Sequence, residues 1–137
     1  MVGCGRVGSS VAKDLAADGW DVTCVDEDEG ALARLGEWHG GFVLGHGMDL
    51  EVLERAGVAE AEAAVVATDG DNSNIVIAQV LQRRYGLECV VARILDPRRA
   101  AFYGTRGLRT VCPTQTAIST LTDVVRSCSA APVGGES

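Results

Sequence analysis

Three glycines near the start of the chain, Gly3, Gly5 and Gly8, constrain its fold more than anything that follows. In the G-x-G-x-x-G stretch Gly3-Cys4-Gly5-Arg6-Val7-Gly8 each glycine has a separate task. Gly3 lets the backbone leave a strand in a tight turn, Gly5 lets backbone approach a pyrophosphate, and Gly8 lets the next helix lie close on a sheet. That helix points free N–H groups and the positive end of its dipole over the loop, which suits phosphate. The chain holds 17 glycines, so the pattern alone fits a plain strand-to-helix turn equally well.

A second feature narrows the choice. Trp20-Asp21-Val22-Thr23-Cys24-Val25-Asp26 reads as an apolar strand ending in a carboxylate. Asp26 follows Gly8 by roughly the ~20 residues at which an acid meets an adenosine ribose. The same acidic run, Asp26-Glu27-Asp28-Glu29, also precedes a helical pattern and could cap it. Both roles can coexist, split over Asp26 and Asp28.

At 137 residues the chain is one domain with room for a proper core. It is 47% hydrophobic but only 4% aromatic, which describes Ala/Val/Leu packing in an α/β protein. A net charge of −7 argues against a nucleic-acid backbone as partner. No apolar run reaches the ~20 residues of a membrane span, and no signal peptide is evident, so a soluble cytosolic protein is expected. Five cysteines without a C-x-x-C fit a reducing compartment better than a disulfide frame or a zinc site. Cys4 is the one to test for reactivity, against the plainer reading of an inert small side chain.

Strand and helix signals alternate along the chain. Helices are expected from Arg6 to Asp18, Glu29 to Trp38, Leu50 to Ala56, Asn74 to Tyr85, Arg98 to Tyr103 and Thr114 to Arg126. The last should carry an apolar side of Ala117, Ile118, Leu121, Val124 and Val125. Asp49 and Asp96-Pro97 are helix starts. Strands are expected at Met1-Val2, Asp21–Val25, Phe42–Leu44, Ala63–Ala67, Cys89–Arg93 and Thr110–Cys112. The continuous apolar run Ala63-Ala64-Val65-Val66-Ala67 suits a parallel strand covered on both faces. The whole predicts a Rossmann-like doubly wound parallel sheet of order 3-2-1-4-5-6, with ligands beyond the carboxyl ends of strands one and four. The loops gathered there are Gly3–Gly8, Asp26, Gly45–Asp49 and Ala67–Asn74. One feature fits badly: a strand needs ~5 residues, and only Met1-Val2 precede Gly3. Either the start is cut or misassigned, or the central strand is a stub.

These loops resemble the N-terminal lobe of RCK (KTN) domains, the TrkA N-terminal domain of Trk/Ktr potassium uptake regulators and of some potassium channels. The resemblance rests on Gly3-Cys4-Gly5-Arg6-Val7-Gly8, Asp26-Glu27-Asp28, Gly45-His46-Gly47-Met48-Asp49 and Ala67-Thr68-Asp69-Gly70-Asp71-Asn72-Ser73-Asn74. It covers about Met1 to Val125, so residues 1–126 are expected to form the nucleotide-binding lobe and 127–137 a frayed tail. It implies a regulatory module binding NAD(H) or ATP/ADP, pairing as homodimers or a larger ring beneath a membrane-embedded potassium transporter or channel subunit. Its expected location is cytoplasmic, at the inner face of the membrane.

The resemblance implies a site drawn from Gly3, Cys4, Gly5, Arg6, Val7, Gly8, Asp26, Glu27, Gly45, His46, Ala67, Thr68, Asp69, Asn74 and Arg93. Arg6 carries over as a phosphate contact, for which a guanidinium at a helix start is well suited; its plainer reading is a solvated arginine. Asp26 carries over as the ribose acid. Ala67-Thr68-Asp69 would line the phosphate and nicotinamide side, with Asn74 capping or contacting it. Arg93 would reach a terminal phosphate or pair with Asp69 or Asp96. His46 stands where the family usually has an acid facing the adenine. The family's C-terminal lobe has no counterpart in the sequence, which reads as a fragment or a single-lobe protein.

An oxidoreductase, or its cofactor-binding fragment, is the alternative. It would need a proton donor and a substrate domain, yet the only histidines are His39 and His46 and no Tyr-x-x-x-Lys pair occurs. No enzymatic activity is therefore expected. A scaffold with an empty site is a third reading.

Overall fold

The computed structural model describes residues 1–129. Five strands, all parallel, are flanked by six helices: α1 (Arg6–Ala17), β1 (Thr23–Asp26), α2 (Gly30–Leu35), β2 (Gly41–Leu44), α3 (Leu50–Arg55), β3 (Ala63–Val66), α4 (Asp71–Arg83), β4 (Cys89–Arg93), α5 (Pro97–Gly104), β5 (Arg109–Val111) and α6 (Pro113–Cys128). A 3-10 turn, Val58–Glu60, leads into β3. β1 pairs with β2, placing Cys24 opposite Phe42. β3 pairs with β4, and β4 with β5.

Val2 is the hinge between these two halves. It forms parallel bridges to Val25 of β1 and to Val66 of β3. Its N–H donates to the Val65 carbonyl and its own carbonyl accepts from the Ala67 N–H, both at 2.8 Å. The strand expected first is thus a stub whose centre is one residue, in the place the 3-2-1-4-5-6 order assigns to it. The fold is Rossmann-like.

Two apolar clusters hold the halves. Val66, Ile77, Leu81, Val90 and Ile94 are essentially solvent-free in one; Cys4, Ala12, Cys24, Ala31 and Leu35 fill the other. Each fully buried Leu or Ile side chain contributes about 1.5–3 kcal/mol. The β3 and β4 runs are apolar on both faces, as helix-covered parallel strands require.

Several boundaries differ from the sequence expectation for local reasons. α2 stops at Leu35 rather than Trp38 because Gly36 turns into the left-handed region at φ 65°. Trp38 instead donates its indole N–H to the Gly41 carbonyl at 3.0 Å. α4 begins at Asp71, three residues early, because Gly70 is already extended at ψ 128°. Asp71 then sits at the positive end of the helix, where its carboxylate is favoured. α3 and α5 start as expected, with Asp49 accepting from the Glu51 N–H and Asp96 from the Arg98 N–H, each at 2.9 Å. α6 runs to Cys128, so Ser127 and Cys128 belong to the helix and not to a tail. The rest of the expected tail, from 130, lies outside the described residues. None of the α6 residues is buried: Ile118, Leu121, Val124 and Val125 form an uncovered apolar side. Among the described residues, no helix is long and apolar enough to cross a membrane.

Candidate functional site

The glycine loop is built by close contact. Gly3 adopts φ 95°, and a Cβ there would lie 2.5 Å from the Ala67 carbonyl oxygen. A Cβ on Gly8 would lie 1.9 Å from the Gly3 carbonyl oxygen. Backbone therefore packs on backbone at both positions, and α1 is drawn against the strand ends. Gly5 is the N-cap of α1 and supplies no side-chain bond, and the first N–H groups of that helix have no partner among the described residues.

Asp26 braces the loop from β1. Its Oδ2 accepts the Cys4 N–H at 2.7 Å and its Oδ1 accepts the Asp28 N–H at 2.8 Å. Asp28 in turn accepts the Gly30 N–H at 2.9 Å, closing the start of α2. Asp28 thus takes the helix-start position, while Asp26 holds the glycine loop and the turn after β1. A carboxylate has about four acceptor sites, so two remain open on Asp26.

A cleft of about 340 Å³ lies over these groups. It is lined by Gly3 and Gly5, by Asp26, Glu27 and Asp28, by Gly45, His46 and Gly47, and by Ala67, Thr68, Asp69, Gly70 and Ser73, with Val2 and Val25 as its floor. All four loops leave the carboxyl ends of strands, where an open α/β sheet binds ligands. The volume lies within the usual range of small-molecule sites. His46 faces Glu27 across 3.6 Å through Nε2, while its Nδ1 accepts the Met48 N–H at 3.1 Å. Nε2 is therefore the nitrogen that carries hydrogen.

Nine of the sequence-predicted residues meet at this wall: Gly3, Gly5, Asp26, Glu27, Gly45, His46, Ala67, Thr68 and Asp69. Six others stand elsewhere. The Cys4 side chain turns into the core, fully buried, with its thiol 4.0 Å from the Val25 carbonyl. A hydrogen bond with Cys24, then burial, raises its pKa well above the ordinary thiol value, which keeps it protonated and inert. Arg6 and Val7 are exposed on the first turn of α1, and the Arg6 guanidinium has no partner among the described residues. Gly8 is buried beneath the loop.

Asn74 is not a helix cap: it lies one turn inside α4, 1% exposed. Its amide donates to the carbonyls of Thr68 at 3.1 Å and Arg93 at 2.8 Å. Its Oδ1 accepts the Thr68 N–H at 2.9 Å and the Thr68 hydroxyl. With both donors and the acceptor engaged, it clamps the β3–α4 turn to β4. Arg93 joins the clamp, donating to the Thr68 carbonyl at 2.8 Å, with Asp69 4.0 Å away. Its Nε is buried without a hydrogen-bond partner among the described residues.

Two contributors escaped the sequence reading. Arg34 of α2 donates from Nε to the Cys4 carbonyl at 2.8 Å and lies 3.6 Å from Asp28. Asp71 accepts the Leu95 and Asp96 N–H groups at 2.8 and 3.0 Å, tying α4 to the start of α5. Neither follows from spacing, because both act on loops distant in sequence.

The TrkA-N domain family matches residues 1–113. The chain is 46% identical over 112 residues to a Trk system potassium uptake protein TrkA of Streptomyces coelicolor, covering 81% of this chain and 50% of that protein. It is 30% identical over 127 residues to a TrkA homolog of Methanothermobacter thermautotrophicus, covering 91% of this chain and 58% of the relative. The chain thus spans about half the length of the curated relatives it matches. Among solved structures, the TrkA-N domain of the inner membrane protein ybaL from Escherichia coli superposes with a TM-score of 0.79 at 21% identity, over 90% of this chain and 93% of that one. The NAD(P)-binding domain of an exopolyphosphatase-related protein from Archaeoglobus fulgidus gives 0.71 at 17% identity, over 92% and 95%. With its glycine loop, its acid and its carboxyl-end cleft in place, the chain belongs to the TrkA-N domain family.

Proposed function

We propose that this domain is the nucleotide-sensing part of a regulator of potassium uptake, and not an enzyme. The observation that carries the reading is the convergence of unpaired α1 N–H groups, the Asp26 carboxylate and the Thr68-Asp69 turn on one cleft of about 340 Å³. The helix terminus suits a pyrophosphate, and the open acceptor sites of Asp26 suit ribose hydroxyls. Arg6 extends over the first turn and closes on the phosphates from solvent. His46 and Glu27 contact the adenine side. The ligand is NAD(H) or ATP/ADP; Asp26, Glu27 and Asp28 together disfavour a ribose 2′-phosphate.

The names of the relatives support the physiological half of the proposal. The partner would be a membrane-embedded potassium transporter or channel subunit, with the domain held at the cytoplasmic face. The bare apolar side of α6 supports pairing with a second copy. Nucleotide then acts by population shift, favouring one arrangement of paired domains by its difference in affinity between two.

Calorimetric titration with NADH, NAD, ATP and ADP tests this. Saturable binding of at least one is expected, with thermal stabilisation of ~2.7 kcal/mol at 100 times its dissociation constant. Absence of any shift with all four would leave an empty scaffold, and rapid hydride transfer from NADH to carbonyl substrates would restore the oxidoreductase reading.

A further inference from the structure

Charge is unevenly spread along the chain. Residues 83–112 hold seven of its twelve Lys and Arg residues but two of its nineteen acids, so this stretch carries +5 and the remainder −12. The stretch builds one side of the sheet, from the end of α4 through β4 and α5 to β5, the edge strand. None of its residues lines the nucleotide cleft.

Its arginines project from both faces of that edge. Arg98 and Phe102 stand four residues apart on α5 and so share one side of the helix. The Arg106 guanidinium stacks on the Phe102 ring, 3.7 Å from its centroid. The Thr110 hydroxyl donates to the Ala100 carbonyl at 3.2 Å, so Thr110 faces α5 and its neighbours Arg109 and Val111 turn to the other face of β5. Gln82 donates to the Gly107 carbonyl at 3.4 Å, which sets Arg83 and Arg84 beside the turn between Arg106 and Arg109. Arg83, Arg84, Arg98, Arg106 and Arg109 are exposed, and none pairs with a carboxylate among the described residues. Of the two acids in the stretch, Asp96 accepts the Arg98 N–H as the cap of α5, and Glu88 stands exposed before β4.

We propose that this edge docks on an anionic phospholipid bilayer. Guanidinium groups bind phosphate oxygens bidentately, and Phe102 and Val111, each about half exposed, add apolar contact at headgroup depth. Cations on both faces of a projecting edge suit a plane, whereas a peptide needs a groove. The acids at the end of β1 do not cancel the attraction. With Val2 between β1 and β3, β1 is four strand positions from β5. That is about 19 Å at ~4.8 Å per strand, over two Debye lengths of ~8 Å at physiological salt. The proposal takes from the proposed function only that the domain works at the inner face of a membrane. Docking by this edge leaves the nucleotide cleft open to solvent.

Cosedimentation with vesicles tests it, using phosphatidylcholine alone and about three parts phosphatidylcholine to one of phosphatidylserine. The parent is expected to partition onto the anionic vesicles only, and to be released as salt rises from about 0.1 to 0.5 M. Arg98→Gln, Arg106→Gln and Arg109→Gln should each weaken partition by about five-fold, with Tm and nucleotide affinity unchanged. Arg55→Gln, the same charge change on the exposed side of α3, should partition as the parent does. No partition of the parent onto anionic vesicles would overturn the proposal, as would an equal loss in Arg55→Gln. Tighter, patch-dependent binding of a glutamate-rich peptide than of the vesicles would also overturn it, in favour of an acidic protein segment. The assay needs neither nucleotide nor transporter, so its failure and that of the function proposed above are read separately.

Discussion

The Cys4 N–H donates to Oδ2 of Asp26 at 2.7 Å, joining the glycine loop to the strand that ends in the acid. The carboxylate holds the loop with one oxygen and the start of the acidic turn with the other. Asp26→Ala removes both braces and, on the proposed function, the ribose acceptor. NADH affinity is expected to fall by about 1.5–3 kcal/mol, the usual worth of hydrogen bonds to a charged acceptor. Calorimetry on the folded variant measures it, and parental affinity would remove Asp26 from the ribose site.

The loop glycines should separate into structural and ligand-facing positions. Gly8→Ala forces a Cβ into the Gly3 carbonyl, and the obstacle is backbone that cannot rotate away. Loss of ~3 kcal/mol or more is expected, in line with severe overpacking. A Cβ on Gly5 meets nothing within 4 Å, so Gly5→Ala should unfold at nearly the parental urea midpoint while binding nucleotide more weakly. Equal destabilisation by the two would mean that the Gly8 contact with the Gly3 carbonyl does not set the cost.

Asn74 holds the β3–α4 turn from beneath. Asn74→Ala leaves the Thr68 N–H and the Arg93 carbonyl without partners, at a cost of roughly 1–3 kcal/mol for each buried group. Urea unfolding should show a loss near 3 kcal/mol. Asn74→Asp should fare no better, since an oxygen would then face two carbonyls.

Pairing through α6 predicts a simple outcome for Leu121→Asp. Leu121 is 68% exposed, so the substitution spares the core. A parental dimer in sedimentation should become a monomer with an unchanged Tm for the single domain. A parent that is already monomeric at high concentration would discard the α6 pairing.

Local chemistry made much of this protein legible from sequence. Apolar runs marked β1 to β4, and Asp49 and Asp96 began α3 and α5 because a capping carboxylate needs only its own next turn. The glycine spacing and the acid after it placed both at one sheet edge. Tertiary structure decided the rest, since it depends on contacts between segments far apart in the chain. It turned the Cys4 thiol inward, buried Asn74 as a clamp across nineteen residues to Arg93, and brought Arg34 onto the Cys4 carbonyl thirty residues away. It left α6 bare although its apolar periodicity is that of a packed helix. It also hung the central strand on Val2 alone, because backbone pairing is satisfied by whichever edges lie alongside, and only the assembled sheet shows which edges those are.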